Sequence, residues 1–338
     1  MGVLLFFVPL LVAMVSAALA MGAEGMTVPY YASASELNAY WQSVFPNRTI
    51  PSAILDHIST PSGNERNVKE QEHYWSVQSD QLNKEDAKIF HNWAHLIASE
   101  KLLYPETTFT PGSKINLYID RAAALHSAWL RPDSADSIPI SRKNFNDIVT
   151  MSAPVSNSMA HGMWSTLSSC EHPREVAGEQ KACVASVESM HGFAASALRT
   201  NDLRALSTSL DVPEEGISSP SHMYRVAAVR VVTAGGAKPA AVDTVTCHSM
   251  SFPFALFYCH AVNPTRIYEV TLQKEETAAV PAPRRPAVVR ALAVCHVNTS
   301  GFDPTLKYWV KLGVKPGEAP VCHFLTRGDV LWAPASAA

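Results

Sequence analysis

Four of the six cysteines in this chain of 338 residues are followed at once by histidine: Cys247-His248, Cys259-His260, Cys295-His296 and Cys322-His323. With 13 histidines in the chain, the chance of His after any one cysteine is roughly 4%, so four in six is not a compositional accident. The dipeptides are separated by 10, 34 and 25 residues. C-x2-C pairs are absent, so no standard zinc-finger spacing applies.

Each dipeptide sits in a short run rich in Val, Leu, Ile, Tyr and Thr, which reads as a strand. Successive side chains of a strand point to opposite faces. The cysteines can therefore share one face and the histidines the other. If the four strands lie near one another, four thiols can pair as disulfides while His248, His260, His296 and His323 converge. Oxidised cysteine is no thiolate ligand, which leaves a nitrogen site suited to Cu(II), Zn(II) or Ni(II). The competing expectation is a pair of disulfides with neighbouring hydrogen-bonded histidines. The other two cysteines, Cys170 and Cys183, are 13 positions apart and are expected to form a local bridge. Six cysteines allow fifteen connectivities, and sequence leaves the pairing of Cys247, Cys259, Cys295 and Cys322 open.

The compartment follows from the N-terminus. Val3 to Ala18 is an apolar and small-residue run ending in Ala18-Leu19-Ala20, a signal-peptide pattern cut before Met21. No basic residue precedes the run, and an N-terminal anchor is the alternative. Small residues at its end and the lack of a following basic cluster favour cleavage. The mature chain is then exported, with no membrane association after cleavage, and its even cysteine count reads as disulfides. Asn47-Arg48-Thr49 and Asn298-Thr299-Ser300 are sequons, making Asn47 and Asn298 candidate glycan sites. A net charge of −3 excludes a strongly basic, phosphate-gripping protein, so no nucleic-acid partner is expected.

Along the chain, residues 21–100 read as a helical N-terminal segment and linker. Ser35 and Glu36 open a helix through Tyr40, Trp41 and Val44, stopped by Pro46. Residues 60–85 are a polar linker, and Asn83 caps a second helix bearing Ile89, Phe90 and Trp93. Lys114 to Ile119 alternates like a strand. Ser141 caps a helix through Phe145, Ile148 and Met151, and further helices are expected near 155–170 and 183–199. After Asn201 come strand-like runs at 203–210, 222–233, 243–249, 254–261, 266–272, 287–297, 306–313 and 320–334. Helices followed by strands give an α+β fold: N-terminal helices, then a largely antiparallel sheet or sandwich supported by disulfides.

At these residues the chain resembles the plant BURP-domain family, marked by four CH dipeptides with a first spacer of ten and a last of about twenty-five. The middle spacer is longer than the family's. The excess fits around Gln273–Pro286, read as an enlarged loop. Phe257-Tyr258-Cys259-His260, Ala293-Val294-Cys295-His296, Lys315-Pro316-Gly317 before Val321-Cys322-His323-Phe324, and Val330-Leu331-Trp332-Ala333-Pro334 are similar to the family core. Tyr40-Trp41-Gln42-Ser43-Val44 resembles its N-terminal motif. The resemblance divides the chain into a 1–20 signal peptide, a variable 21–100 segment and a 101–338 BURP domain. It implies a secreted protein associated with the cell wall in development or stress, with a wall polysaccharide or wall protein as partner. It also implies metal ligation, copper above all, at His248, His260, His296 and His323. One branch consists of copper-dependent peptide cyclases that crosslink Tyr or Trp side chains. Another is the non-catalytic beta subunit of a polygalacturonase. No repeated core peptide is present, and whether the chain is an enzyme stays undecided. Tyr30, Tyr31, Tyr40 and Trp41 are the candidate aromatic substrates, with Tyr40-Trp41 better read as helix packing.

Other signals are weaker. There is no G-x-S-x-G elbow and no H-E-x-x-H helix. His91 and His95 share a helix spacing but enclose no glutamate. His161, His172 and His191 are candidates to approach the CH cluster, and Arg284-Arg285 reads as a solvated loop.

Overall fold

Ser33 starts the first helix. Its hydroxyl accepts from the Glu36 amide at 3.2 Å while the Glu36 carboxylate accepts from the Ser33 N–H at 2.8 Å, a reciprocal capping box. The cap is therefore two residues earlier than the expected start at Ser35. The computed structural model describes residues 30–58, 103–119, 127–171, 178–217, 223–232, 240–275, 288–305 and 307–337. The expected leader, the 60–85 linker, the helix from Asn83 with His91 and His95, His172, and Arg284-Arg285 lie outside the described residues.

Helix α1 (Ala34–Val44) and the short α2 (Ser52–Leu55) lead into β1 (Lys114–Asn116). Then come α3 (Pro132–Ser137), α4 (Phe145–Met151), α5 (Asn157–Glu171), β2 (Gln180–Val184) and α6 (Val187–Leu198). The strands β3 (Leu203–Ser207), β4 (Met223–Val231), β5 (Val245–Ser249), β6 (Phe257–Ala261), β7 (Thr265–Lys274) and β8 (Val288–His296) follow. Helix α7 (Lys307–Leu312), β9 (Val321–Phe324) and β10 (Val330–Pro334) close the chain. The α+β expectation holds, with two antiparallel five-stranded sheets ordered β1-β4-β7-β8-β9 and β2-β6-β5-β10-β3.

Three local expectations are corrected. Residues 307–312 are helical: Tyr308 and Trp309 are adjacent and both buried while Val310 is exposed, which a two-residue period cannot produce. Gly313, at φ +68°, terminates that helix in the left-handed region. The 320–334 run is two strands, and its halves enter different sheets. Cys183 sits on β2, ahead of a helix that begins at Val187 behind its Ser186 cap.

The cysteine face of the second sheet is covered by α1 and α6. Leu37, Trp41 and Phe45 pack there with Met190, Ala194, Cys247, Cys259, Phe257 and Trp332. Trp41 lies 4.7 Å from Phe45 and 6.2 Å from Trp332 between ring centres. Trp129 stacks on Phe257 at 4.9 Å and donates through Nε1 to the Ile54 carbonyl, which ties α2 to the same core. Such rings each bury about 150–250 Å², so the segment ahead of residue 59 is part of the sheet's core. The cysteine face of the first sheet carries Cys295 and Cys322 with Tyr104, Phe109, Tyr224 and Val226. A further cluster joins the sheets: Ile267, Leu292 and Val294 from the first meet Leu331 and Ala333 from the second.

Candidate metal centre

Register places the four dipeptides. Cys247 is paired directly with Cys259 across β5 and β6, and Cys295 with Cys322 across β8 and β9. Both pairs are disulfides, with Cα separations of 3.9 and 4.0 Å, and Cys170–Cys183 is the third. None of the six cysteines is free. The pleat then sends each following histidine to the opposite face. That is the face of Val294 on β8 and of Leu331 beside Thr246 on β10 and β5, where the two sheets meet.

The four imidazoles form a row. The ring of His260 lies 5.3 Å from that of His248, His248 lies 6.1 Å from His323, and His323 lies 5.6 Å from His296. Every Nδ1 faces an oxygen. His260 Nδ1 is 3.1 Å from Glu179 Oε1, and His248 Nδ1 is 3.3 Å from Asp329 Oδ1. His296 Nδ1 is 3.0 Å from the Val262 carbonyl, and His323 Nδ1 makes a longer 3.4 Å contact with the Phe324 carbonyl. Such acceptors keep the proton on Nδ1 and leave Nε2 as the basic nitrogen. The Nε2 atoms of His248 and His260 stand 3.3 Å apart. At that distance the two nitrogens can share one proton in a hydrogen bond, the donor depending on the tautomer, or point their lone pairs at one cation.

The distance fits the chemistry. Tetrahedral imidazole ligands with bonds of about 2.0–2.1 Å lie about 3.3 Å from one another. Among the described residues no group of three or more His, Cys, Asp or Glu side chains is arranged to hold a metal ion. His248 and His260 have the spacing, and His323 and His296 continue the row.

Burial favours the neutral form of His260, His296 and His323. His260 is held below the usual imidazole range chiefly by desolvation, against the Glu179 hydrogen bond that pulls upward. His296 falls to about 4, through burial first, then the neighbouring imidazoles, with the Val262 carbonyl opposing. His323 falls to about 3 for the same leading reason, with His296, His248 and His260 adding to it. Burial pushes Asp329 upward, yet His248 and the Thr326 amide and hydroxyl outweigh it and hold the carboxyl below its ordinary value.

The two acids carry no motif that sequence reading could use. Gly178, at φ +85°, turns the chain immediately before Glu179, which is 5% exposed. Asp329 closes the turn between β9 and β10 and is 3% exposed. Its Oδ2 accepts from the Thr326 amide at 2.8 Å, which leaves Oδ1 toward His248. A lone acid directly before the apolar run Val330–Ala333 was the available hint for Asp329. Glu179 had none.

The remaining candidates lie elsewhere. His191 packs among Tyr40, Phe45 and Trp332 on the helix-covered face, with the Tyr40 hydroxyl 2.9 Å from its Nδ1. His161 is exposed on α5. Trp41 is buried and Tyr40 half-buried, whereas Tyr30 and Tyr31 are 66% and 46% exposed. Asn47 and Asn298 are both exposed, and Asn298 Oδ1 accepts from the Ser300 hydroxyl at 2.7 Å. Among the described residues no helix is long and apolar enough to cross a membrane.

Comparison with known proteins gives a consistent answer. The family model for the BURP domain matches residues 102–334. BURP domain-containing protein 9 of Oryza sativa subsp. japonica is 37% identical over 236 residues, covering 70% of this chain and 42% of that protein. BURP domain-containing protein 2 of the same plant is 33% identical over 306 residues, covering 89% of this chain and 92% of the relative. BURP domain protein RD22 of Arabidopsis thaliana is 35% identical over 207 residues, covering 61% of this chain and 48% of its own length.

Proposed function

The chain belongs to the BURP-domain family, and from that premise we propose that it is a secreted, cell-wall-associated plant protein whose row of histidines holds a copper ion. The observation that carries the metal reading is the facing pair of Nε2 atoms of His248 and His260, 3.3 Å apart. Both rings are backed by buried carboxylates. His248, His260, His296 and His323 would hold the ion. Copper supplies a one-electron redox couple, which zinc does not. The protein's own part is to keep His260, His296 and His323 neutral by desolvation and to aim the Nε2 atoms of the row through their Nδ1 partners. Export is supported by three disulfides and no free cysteine, a pattern of oxidising compartments. Asn47 and Asn298 are the proposed glycan positions.

The test is metal analysis of purified, oxidised protein after copper loading and desalting. The expected result is a stoichiometric load that is lost in the paired His248→Ala, His260→Ala variant. Equal loads in both proteins would place the metal elsewhere. Retention on isolated wall polysaccharide tests the second half, and no retention at any salt concentration would remove it.

A catalytic reading is favoured by one observation: Tyr30 and Tyr31 are exposed phenols, unlike the packed Tyr40 and Trp41. In that reading an aromatic peptide would lose two hydrogens to an added two-electron oxidant, which carries them away, and copper held by the four histidines would supply the redox couple. Mass spectrometry after incubation with copper and peroxide would show a peptide holding Tyr30 and Tyr31 lighter by two hydrogens. Unchanged masses sink self-modification, though not action on another substrate; a non-catalytic role, as in the polygalacturonase beta-subunit branch, is the alternative.

A further inference from the structure

The row of histidines is not symmetric in what stands behind it. On the second sheet, His260 and His248 face Glu179 and Asp329. On the first sheet, the Nδ1 partners of His296 and His323 among the described residues are the backbone carbonyls of Val262 and Phe324. Both carboxylates are almost fully buried, and they come from separate places in the chain. Asp329 is locked by the Thr326 amide. Glu179 Oε1 also lies 3.4 Å from the Tyr258 hydroxyl, next to the ring of His260. The ammonium of nearby Lys181 donates to the Ser169 carbonyl at 3.2 Å and lies over the Tyr258 ring.

Burying charge is costly unless it is compensated. Four neutral imidazoles offer a cation no charge compensation at all. Two carboxylates one hydrogen bond behind them bring two negative charges, which match a dication and exceed a monocation. An N–H donated to a carboxylate also raises the electron density on the opposite nitrogen more than one donated to a carbonyl. We propose that Glu179 and Asp329 are positioning and charge-balancing residues that make the histidine row select a divalent over a monovalent cation. The inference rests on the reading that these histidines bind metal. It adds that the carboxylate-backed pair on the second sheet sets the preference for charge.

The experiment titrates the metal-free full chain with Zn2+ and, without oxygen, with Cu+, each against a competing chelator. It compares wild type with Glu179→Gln and Asp329→Asn, which preserve shape and remove charge. Each variant should bind Zn2+ about 10- to 100-fold more weakly while its Cu+ affinity changes far less, so that the Zn2+/Cu+ ratio falls by about tenfold or more. An equal loss for both ions would make the acids mere scaffolding and overturn the inference, as would no loss for either. Wild type that binds both ions with a ratio unmoved by the variants overturns this inference alone. Wild type that binds neither ion overturns the metal reading and this inference with it. Thermal melts of the metal-free variants identify any that fail to fold. The two substitutions lie in different segments, so either one decides the question.

Discussion

Cys247 and Cys259 face each other across β5 and β6 with Cα atoms 3.9 Å apart, and on the reverse face of the same two strands His248 and His260 bring their Nε2 atoms to 3.3 Å. The covalent bond and the imidazole pair are thus two sides of one ladder. The same arrangement recurs at Cys295 and Cys322, whose neighbours His296 and His323 lie 5.6 Å apart between ring centres.

Opening either cross-strand bridge should therefore cost both stability and metal affinity. Chain-entropy bookkeeping puts the Cys247–Cys259 bridge, with a separation of 12, at about 3 kcal/mol and the Cys295–Cys322 bridge, with a separation of 27, at about 3.5 kcal/mol. Urea titration of the paired Cys295→Ser, Cys322→Ser variant should show a loss of about that size together with weaker copper retention. Retained affinity would mean that β-sheet pairing alone holds the histidines.

The metal-free protein should become less stable as pH falls through the weakly acidic range. In the unfolded chain each imidazole protonates near pH 6.5. In the folded chain His296 and His323 resist until about 4 and about 3 because they are desolvated. Between those values the unfolded state binds more protons, so stability is full above about 6.5 and declines as pH drops toward 3. Thermal melts from pH 7.5 to 4 check this. His296→Gln should flatten the profile, and an unchanged slope would assign the acid sensitivity to other groups. Copper should also survive below the imidazole reference value near 6.5, because protons compete less well for the nitrogens of His260, His296 and His323.

Trp41 should be as important as any residue of the sheets. It is 2% exposed and packed between Phe45 and Trp332. Trp41→Ala is expected to cost about 3–5 kcal/mol in urea unfolding, and a chain beginning at residue 101 should expose the covered face and aggregate. A full-strength fold from residue 101 onward would show that α1 is an ornament.

Two helical glycines should respond with opposite signs. A Cβ on Gly162 would stand 2.7 Å from the Ser251 Cβ, so Gly162→Ala should destabilise by about 1–3 kcal/mol despite better helix propensity. Gly192 has nothing within 4 Å of a built Cβ, so Gly192→Ala should stabilise by up to about 1 kcal/mol. Chemical denaturation of both variants checks the contrast, and a stabilised Gly162→Ala would contradict the close contact of α5 with the Ser251 segment.

Much of the local structure was legible because it depends on neighbours in sequence. The strand runs around 247, 259, 295 and 322 and the segregation of Cys from His follow from a two-residue period. The run at 306–313 misled because Tyr308-Trp309 is apolar and β-prone while its burial is set by Tyr104 and Pro320, whose carbonyls accept the Tyr308 hydroxyl. The start of α1 was misplaced because Ser33 and Ser35 are chemically alike. Yet the S-x-x-E spacing of Ser33 and Glu36 was the sequence signal that singles out Ser33, and the hydrogen bonds with Glu36 realise it.

What the amino-acid order determined was that four cysteines and four histidines must leave their strands on opposite sides. That is a property of the extended backbone and needs no partner. The tertiary structure alone decided that β9 lies beside β8 and β6 beside β5, and so which cysteines bond. It also decided that the two histidine pairs meet between two sheets, and that Glu179 and Asp329, each 81 positions from the histidine it faces, stand behind them. Such placements arise from burying apolar faces against each other. That burial is non-directional and summed over the whole core, so no short stretch of sequence encodes it.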